Sequence, residues 1–390
     1  MKILCVFGQY QYGNAQRGES TESVSFIPAL KALGHEVRLF DSWNKSLYSD
    51  FAELNAKFVD ECRRYAPEVV LWVALTCEIW LETLDYVRSV IGVRVIHWAP
   101  DDSWKFRQHS RYIARHVDLC VTTYPEFLPE YERIGAKGIA SGWAIPEHWK
   151  GTVLPAVICK YDVTFVGTAQ PARKSMVLAL RHMGVEVACF GYGWPTGPVE
   201  PAQIPEIFRQ SRISLNFSNS SGTNQVKARI FEVTGAGGFL LTQSAPGIER
   251  VFEIGREVVK FDDIEECTQL ITRYLDDPEA RDLIARAGND RTLAQYTYVE
   301  RLRGVLTALP PHPALTKGVR RQFDEAEKRH TKPVYLRAAA NLLMVIGVLI
   351  FGTQRGPRFA RRLSFELSWR IAGEATYRAS GIVGRMFYEQ

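Results

Sequence analysis

Short apolar strands that alternate with helical segments are the feature that most constrains the fold of this chain. The strands at residues 2–7, 69–75 and 119–123 are predominantly apolar and lack the alternation of polar and apolar residues that marks a half-exposed strand. The segments between such strands have helical character, and the first of them ends at Gly34, a typical C-terminal cap. This pattern predicts a parallel sheet that helices cover on both faces.

The same succession begins again after an irregular stretch at residues 143–155, with a strand at residues 161–166. Two successive series predict an α/β protein with two Rossmann-like domains that face each other across a cleft. Open parallel sheets bind ligands at the carboxyl ends of their strands, so such a cleft would hold two ligands end to end. The predicted organisation is an N-terminal domain at residues 1–150, a second domain at residues 151–309, and a basic, partly apolar helical tail at residues 310–390.

The charge of the chain is unevenly distributed. The net charge is +5, but residues 311–390 alone carry +8, so residues 1–310 carry −3. A protein that binds nucleic acid along its main surface would be basic there, so we expect no nucleic-acid partner. Aromatic residues make up 12% of the chain, which is enough to build a sizeable core.

The seven cysteines include no pair with C-x-x-C spacing, and most of them lie in apolar strand-like runs. This pattern is typical of buried, reduced thiols in a cytoplasmic protein. Zinc sites need paired cysteine and histidine ligands, and no such pairing is visible, so we expect no metal site and no cofactor. The cysteines are Cys5, Cys62, Cys77, Cys120, Cys159, Cys189 and Cys267.

The segment KARIFEVTGAGGFLLT carries the most informative chemistry in the second domain. A predicted helix with Lys227, Arg229 and Glu232 leads into Gly237 and Gly238 and then into a strand. Backbone amides at a helix N-terminus together with basic side chains form an anion site that suits a diphosphate, and a carboxylate such as Glu232 suits two vicinal ribose hydroxyls. The alternative is that Arg229 and Glu232 form a surface ion pair while the glycines cap the helix.

The order of motifs in this half of the chain resembles the C-terminal domain of GT-B glycosyltransferases. RIFEVTGAGGFLLT is followed by GIERVFEIGREVVKFDD, a helix, a DDP turn and RTLAQYTYVERLRGVL, a series closest to the spore-maturation-type branch. The resemblance covers about residues 160–309. The N-terminal half resembles these proteins only in its fold pattern and in Asp101 and Asp102 after a strand.

This resemblance implies transfer of a sugar from a nucleotide-sugar donor without a metal. It implies that Glu232 binds the donor ribose and that Arg173 lies near the diphosphate, where Lys227 and Arg229 add positive charge. A departing diphosphate needs such compensation when no metal supplies it. One position departs from the pattern of the large retaining families, because Asn224 stands where a second glutamate lies eight residues before the ribose-binding one.

The N-terminal domain is expected to bind the acceptor and to supply a base. The segment HWAPDDSW places His97, Asp101 and Asp102 at the carboxyl end of a strand. An inverting transferase needs a group that takes the proton of the acceptor hydroxyl, and Asp101 and Asp102 are the candidates, with Glu22 as a weaker third. The alternative is that one of the two aspartates caps the following helix.

The tail combines an uncharged run at residues 338–354 with a basic segment in which Phe359, Leu363, Leu367 and Ile371 recur every four residues. A basic amphipathic helix beside an apolar segment suits an anionic membrane surface, so residues 334–390 are expected to hold the protein at the inner membrane face. Packing on the protein itself or on a partner chain, and a true membrane span, are the alternatives.

These observations together predict a metal-independent glycosyltransferase in the cytoplasm, peripheral to the membrane. Its substrates would be a nucleotide-sugar donor and a hydroxyl on a glycan or lipid-linked acceptor. Two alternatives use the same scaffold: a nucleotide-sugar epimerase, and a protein that binds nucleotide-sugars without catalysis.

Overall fold

A computed structural model describes residues 1–217, 226–311, 319–330 and 333–387. The contacts among them group the chain into two compact units, which are described separately below. The first unit contains residues 1–142 and 302–390, and the second contains residues 143–301. The C-terminal segment therefore belongs to the first unit. Asn224 lies outside the described residues.

The first unit contains a six-stranded sheet in the order β2-β1-β3-β4-β5-β6, in which all neighbouring strands are parallel. Residues 3–7 of the first strand are completely buried, as expected for a strand covered on both faces. The predicted parallel sheet is thus confirmed. Its strands are β1 Lys2–Phe7, β2 Glu36–Asp41, β3 Val69–Trp72, β4 Arg94–Ala99, β5 Leu119–Thr122 and β6 Gly138–Ala140.

The two long helices that precede β3 and cover this sheet are each capped at the N-terminus by a side chain. Ser20 accepts a hydrogen bond from the Ser23 amide, and Asp50 accepts one from the Glu53 amide, so each satisfies a free donor of a first helical turn. The helices of the unit up to residue 142 are α1 Thr21–Ala32, α2 Phe51–Tyr65, α3 Leu81–Tyr86, α4 Asp102–Lys105, α5 Arg111–Ile113 and α6 Leu128–Arg133.

The second unit has a five-stranded parallel sheet in the order β11-β10-β9-β7-β8. Its strands are β7 Tyr161–Val166, β8 Ala188–Phe190, β9 Ser211–Asn216, β10 Leu240–Gln243 and β11 Val259–Phe261. Its helices are α7 Pro171–His182, α8 Ile204–Arg209, α9 Ala228–Gly235, α10 Ile264–Asp276 and α11 Pro278–Gln295, and α12 Tyr298–Thr307 follows them in the chain. Both predicted Rossmann-like sheets are therefore present, while their arrangement across a cleft stays a prediction.

The C-terminal segment packs on the first unit through aromatic contacts. The Phe323 ring stacks on Tyr86, and the Tyr377 hydroxyl donates to the backbone carbonyl of Gln108. These contacts anchor both ends of the long apolar stretch between them. The helices of this segment are α13 Val319–Arg329, α14 Val334–Ala372 and α15 Ile382–Met386.

Helix α14 is not continuous, because it breaks at Gly352. The backbone of Gly352 has φ 77° and ψ 171°, which no helix allows. A Cβ atom on Gly347 would lie 2.4 Å from the carbonyl oxygen of Gly356, although a straight helix would separate the two residues by about 13 Å. The chain therefore folds back into a helical hairpin, with a first arm at residues 334–351 and a second arm at residues 353–372.

Candidate functional site

The connectivity of the second sheet identifies its ligand-binding edge. Strand β8 lies on one side of β7, and the chain then crosses over to β9 on the other side, so the direction of the strand order reverses between β7 and β9. In open parallel sheets, ligands bind beyond the carboxyl ends of the two strands at such a switch point. The described residues that directly follow β7 and β9 are therefore where a donor would be expected.

Arg173 lies at this switch point. It projects from the first turn of α7 and donates to the carbonyl of Thr168, after β7, at 3.1 Å, and to the carbonyl of Phe217, after β9, at 3.4 Å. The pKa of Arg173 is lowered, first by burial and then by the charge of Arg229. Its buried Nε atom has no hydrogen-bond partner among the described residues. Two nearby cations at a strand-end crevice favour the binding of an anion.

Glu232 and Arg229 form an ion pair one turn apart on α9. The Nη1 atom of Arg229 lies 2.7 Å from a carboxylate oxygen of Glu232, and both side chains are partly buried. The ion pair considered as the alternative from the sequence thus exists. It also places the carboxylate beside the cation whose charge lowers the pKa of Arg173. Ribose binding by Glu232 stays a prediction. Lys227 is exposed at the N-cap position of the same helix.

Gly237 and Gly238 lie at the opposite end of α9 from Lys227, about 12 Å away at the helical rise of 1.5 Å per residue. Both are buried, and a Cβ atom would lie 2.5 Å from the Thr152 carbonyl oxygen at Gly237 and 2.8 Å from the Phe208 carbonyl oxygen at Gly238. Close backbone packing at the helix C-terminus explains why glycine occurs here. These two residues therefore lie at the other end of the helix from Lys227, and their part in donor binding stays a prediction.

The first sheet has its switch point between β1 and β3, which are flanked by β2 and β4. Asp101 follows β4 on the same edge, and its side chain is 42% exposed. A carboxylate oxygen of Asp101 lies 3.6 Å from the Lys105 Nζ atom. The pKa of Glu22 is raised, mainly by burial and further by Asp101. Two carboxyl groups and one ammonium group therefore lie close together here.

Asp102 has a different environment from its neighbour, because it is only 1% exposed. Its carboxylate accepts hydrogen bonds from the Ser110 hydroxyl at 2.5 Å and the Tyr131 hydroxyl at 2.7 Å. Burial raises the pKa of Asp102 despite these donors. These contacts place Asp102 in the interior, so it is poorly suited as the acceptor base. Asp101 is the N-cap residue of α4, yet its side chain makes no cap hydrogen bond.

Lys105 connects Asp101 to a buried histidine pair, of which the sequence analysis grouped His97, but not His109, with Asp101. The His97 and His109 rings meet edge to face at 5.7 Å. Burial, together with the charge of Lys105, lowers the pKa of His97 to about 3. The His109 Nε2 atom contacts the Thr76 carbonyl oxygen at 2.7 Å. The sequence signals for this cluster are His97 in the segment HWAPDDSW and Lys105, four residues after Asp101 on a short helix.

All seven cysteines are free thiols, and six of them are buried, which confirms the interpretation of the cysteine pattern as buried thiols. In the described part of the chain, no group of three or more His, Cys, Asp or Glu side chains could hold a metal ion.

Comparisons with known proteins agree with this architecture. Residues 173–307 match the family model described as glycosyl transferase-like. The structure is similar to HepE from Anabaena in complex with UDP-glucose, with a TM-score of 0.54 and 13% identity over 79% of this chain and 100% of that chain. It is similar to sucrose-phosphate synthase from Thermosynechococcus elongatus, with a TM-score of 0.56 and 12% identity over 79% of this chain and 98% of that chain.

A third similar structure is BGT from phage T4 in complex with its UDP-glucose substrate, with a TM-score of 0.51 and 11% identity over 79% of this chain and 99% of that chain. No curated protein is similar to the chain in sequence. Both sheets have the GT-B fold of these structures, and residues 173–307 carry the glycosyl transferase-like match, which confirms the resemblance seen in the sequence. The spore-maturation-type branch stays a prediction.

Proposed function

We propose that this protein transfers a sugar from a nucleotide-sugar donor to a hydroxyl acceptor without a metal ion. The observation that carries the proposal is the position of Arg173, which contacts the ends of both β7 and β9 and lies near Arg229. HepE binds UDP and UDP-glucose in its solved structures, and this supports a donor of the same chemical class here. The two arginines would compensate the charge that develops on the departing diphosphate.

Glu232 would orient the donor through its ribose. A carboxylate can accept hydrogen bonds from two vicinal hydroxyls, and Glu232 projects from the same helix as Arg229 at the spacing of one turn. When the ribose engages Glu232, Arg229 is freer to direct its remaining N–H groups at the phosphates. One helix would then bind both the sugar and the charge of the nucleotide.

Asp101 would act as the base that takes the proton of the acceptor hydroxyl. Its side chain is partly exposed at the carboxyl edge of the first sheet, whereas Asp102 is enclosed by hydroxyl donors. A base must reach within hydrogen-bond distance of the proton it removes, so exposure at the ligand edge favours Asp101. Lys105, 3.6 Å away, and the nearby Glu22 would hold the polar groups of the acceptor.

The acceptor would be a glycan, free or attached to a lipid carrier, and the protein would work in the cytoplasm at the inner membrane face. The apolar C-terminal hairpin belongs to the same unit as Asp101. The Tyr377 ring next to the hairpin meets His109 edge to face at 5.3 Å, so the hairpin is joined to the cluster around Lys105. This connection supports an acceptor that the membrane presents.

The donor site is tested by thermal unfolding with UDP-, GDP- and dTDP-sugars. We expect one of these donors to stabilise the protein and Glu232→Ala to abolish that stabilisation. Glu186→Ala is the matched control, because Glu186 pairs with an arginine on the same unit but is largely exposed. Equal stabilisation of the Glu232 variant and the control would contradict the assignment.

The transfer step is tested by nucleotide release with and without acceptor. Asp101→Asn should slow release while leaving donor-dependent stabilisation unchanged, and Asp60→Asn, an exposed partner of Arg63, is the control. Release that needs no acceptor would identify an epimerase, and stabilisation without any release would identify a binding protein. Either outcome would contradict the proposed transfer.

A further inference from the structure

We propose that the C-terminal hairpin, residues 334–372, lies flat in the interface of an anionic lipid bilayer without crossing it. This inference concerns a surface of the protein and does not depend on the transferase activity proposed above. It specifies how the membrane is bound, through both arms of the hairpin at once. The inference rests on the break at Gly352, the exposed apolar side chains of both arms and the arginines between them.

The length of the uncharged part of the first arm argues against a membrane span. By length and composition alone, the helical stretch Val334–Tyr377 would be sufficient to cross a membrane. The break at Gly352 limits the continuous uncharged helix to residues 338–351, about 21 Å at the helical rise. The hydrocarbon core is about 30 Å thick, and uncharged helices of this shorter length are typical of interfacial or buried segments.

The two arms of the hairpin pack directly against each other. Gly347 and Gly356 are both buried, and their backbones approach so closely that either Cβ atom would overlap the other arm. Small residues allow such close approach of two helices in membrane proteins. On one side, Ala340, Met344 and Phe365 pack against the core of the first unit. The arms therefore have one face on the protein and leave many of their apolar side chains exposed.

The open side of the hairpin is strongly apolar. Leu349 is 80% exposed and Ile371 is 84% exposed, one on each arm. Isolated exposed residues of this kind are normal on soluble proteins, but a contiguous set on two packed helices indicates an interaction site. The other large apolar side chains exposed on the arms are Val334, Tyr335, Leu342, Val345, Ile346, Ile350, Phe351, Phe359, Leu363 and Leu367.

The charges on the hairpin favour anionic lipid over a second copy of the chain. Arg355, Arg358 and Arg362 are exposed on the second arm, and residues 334–372 contain six arginines and one acidic residue, Glu366. Each cation close to an anionic bilayer contributes about 1 kcal/mol. A symmetric pairing of two copies would bring the same arginines together, so their repulsion opposes a dimer through this face.

The experiment is flotation of the full chain with vesicles of phosphatidylcholine, with and without phosphatidylglycerol. We expect the protein to float only with the anionic vesicles and to be released by high salt. Leu349→Glu should lower the partition coefficient by about tenfold or more, since an apolar side chain of this size no longer enters the bilayer. Arg358→Gln combined with Arg362→Gln should lower it by about thirtyfold.

Matched controls separate membrane binding from general effects on the protein. Leu283→Glu introduces the same change at a helical leucine of the second unit that is 58% exposed, and it should float like the unmodified chain. Arg250→Gln combined with Arg286→Gln repeats the charge change outside the hairpin, and both residues are exposed. Cooperative thermal unfolding of every variant without any ligand, followed by circular dichroism, shows that each one is folded, independently of flotation and of donor binding.

Three results would overturn the proposal. The first is a protein that stays with the soluble fraction for every vesicle composition. The second is a dimer in light scattering that Leu349→Glu dissociates, because a second copy would then cover the apolar face. The third is retention in vesicles after both high salt and alkaline carbonate, which would indicate a helix that crosses the bilayer. Loss of transferase activity with flotation intact would count against the proposed function alone.

Discussion

Replacement of Arg173 by glutamine should affect the free protein and the donor complex very differently. In the free protein, Arg173→Gln removes hydrogen bonds of 3.1 Å and 3.4 Å to two backbone carbonyls. Each such bond contributes about 1 kcal/mol. Against this loss, the variant removes a cation that burial and Arg229 both disfavour, as its lowered pKa indicates. We expect the free energy of unfolding to change by no more than about 1 kcal/mol, in either direction.

The donor complex should lose much more than the free protein. A charge-assisted hydrogen bond to a phosphate contributes about 1.5–3 kcal/mol, so the dissociation constant of the nucleotide should rise about 10- to 150-fold. At a nucleotide concentration about 100 times the original dissociation constant, binding stabilises the protein by about 2.7 kcal/mol. A thirtyfold rise reduces this stabilisation to about 0.9 kcal/mol.

Urea unfolding with and without nucleotide measures both quantities on the same samples. Arg256→Gln serves as the control, because Arg256 also pairs with a neighbouring group in the second unit but is 72% exposed. It should leave the nucleotide-dependent stabilisation unchanged. The reasoning fails if Arg173→Gln lowers the stability of the free protein by more than about 2 kcal/mol while the nucleotide effect stays intact. Arg173 would then be a structural residue of the strand ends.

Three further predictions test other parts of the structure. Between pH 6.5 and about 3, the free energy of unfolding should fall as the pH falls, because the unfolded chain binds a proton that buried His97 does not bind in the folded protein. His97→Phe should reduce this slope by about 1.4 kcal/mol per pH unit. Equal slopes for the variant and the unmodified chain in urea unfolding would contradict the prediction. Tyr131→Phe removes a donor to the buried carboxylate of Asp102 and should lower the free energy of unfolding by about 1.5–3 kcal/mol in urea at neutral pH. A decrease below about 0.5 kcal/mol would contradict that hydrogen bond. Gly347→Ala should force the two arms apart and lower the stability of their packing by about 1–3 kcal/mol, which faster hydrogen exchange in residues 334–372 would show. Gly304→Ala is the control, because a Cβ atom there contacts nothing within 4 Å, and it should leave that exchange unchanged.

Local sequence patterns were sufficient to predict the two parallel sheets. Strands such as β1 and β3 consist of apolar residues on both faces, and such strands are stable only between two layers of helices. The helix-capping residues lie next to the boundaries they determine, as Ser20 and Asp50 do. These properties depend on neighbours in the chain, so the sequence alone could reveal them.

The residues indicated Arg229 and Glu232 as one group, and the resemblance added Arg173, but the ion pair of the first two stayed an open alternative. Spacing alone allows residues three apart on a helix to pair, and it does not show whether they are buried together or near a third cation. The structure shows the pair and places Arg173 near it, across the ends of β7 and β9.

Other features of the site depended on contacts between distant parts of the chain. Asp101 and Asp102 are adjacent in sequence and look equivalent there, yet Tyr131, twenty-nine residues later, donates to only the second. Gly237 and Gly238 resemble a ligand loop in sequence, but the carbonyl groups of Thr152 and Phe208 explain why a side chain cannot fit.

The tail shows the same division between sequence and structure. Its apolar run and its arginines are visible in the sequence, and they indicated an interface with lipid. Only the tertiary structure shows that Gly352 turns the chain back, because a single residue at positive φ redirects everything that follows it. Composition therefore pointed to a lipid contact, which stays a proposal, whereas the packing of Gly347 on Gly356 decided the shape of the segment.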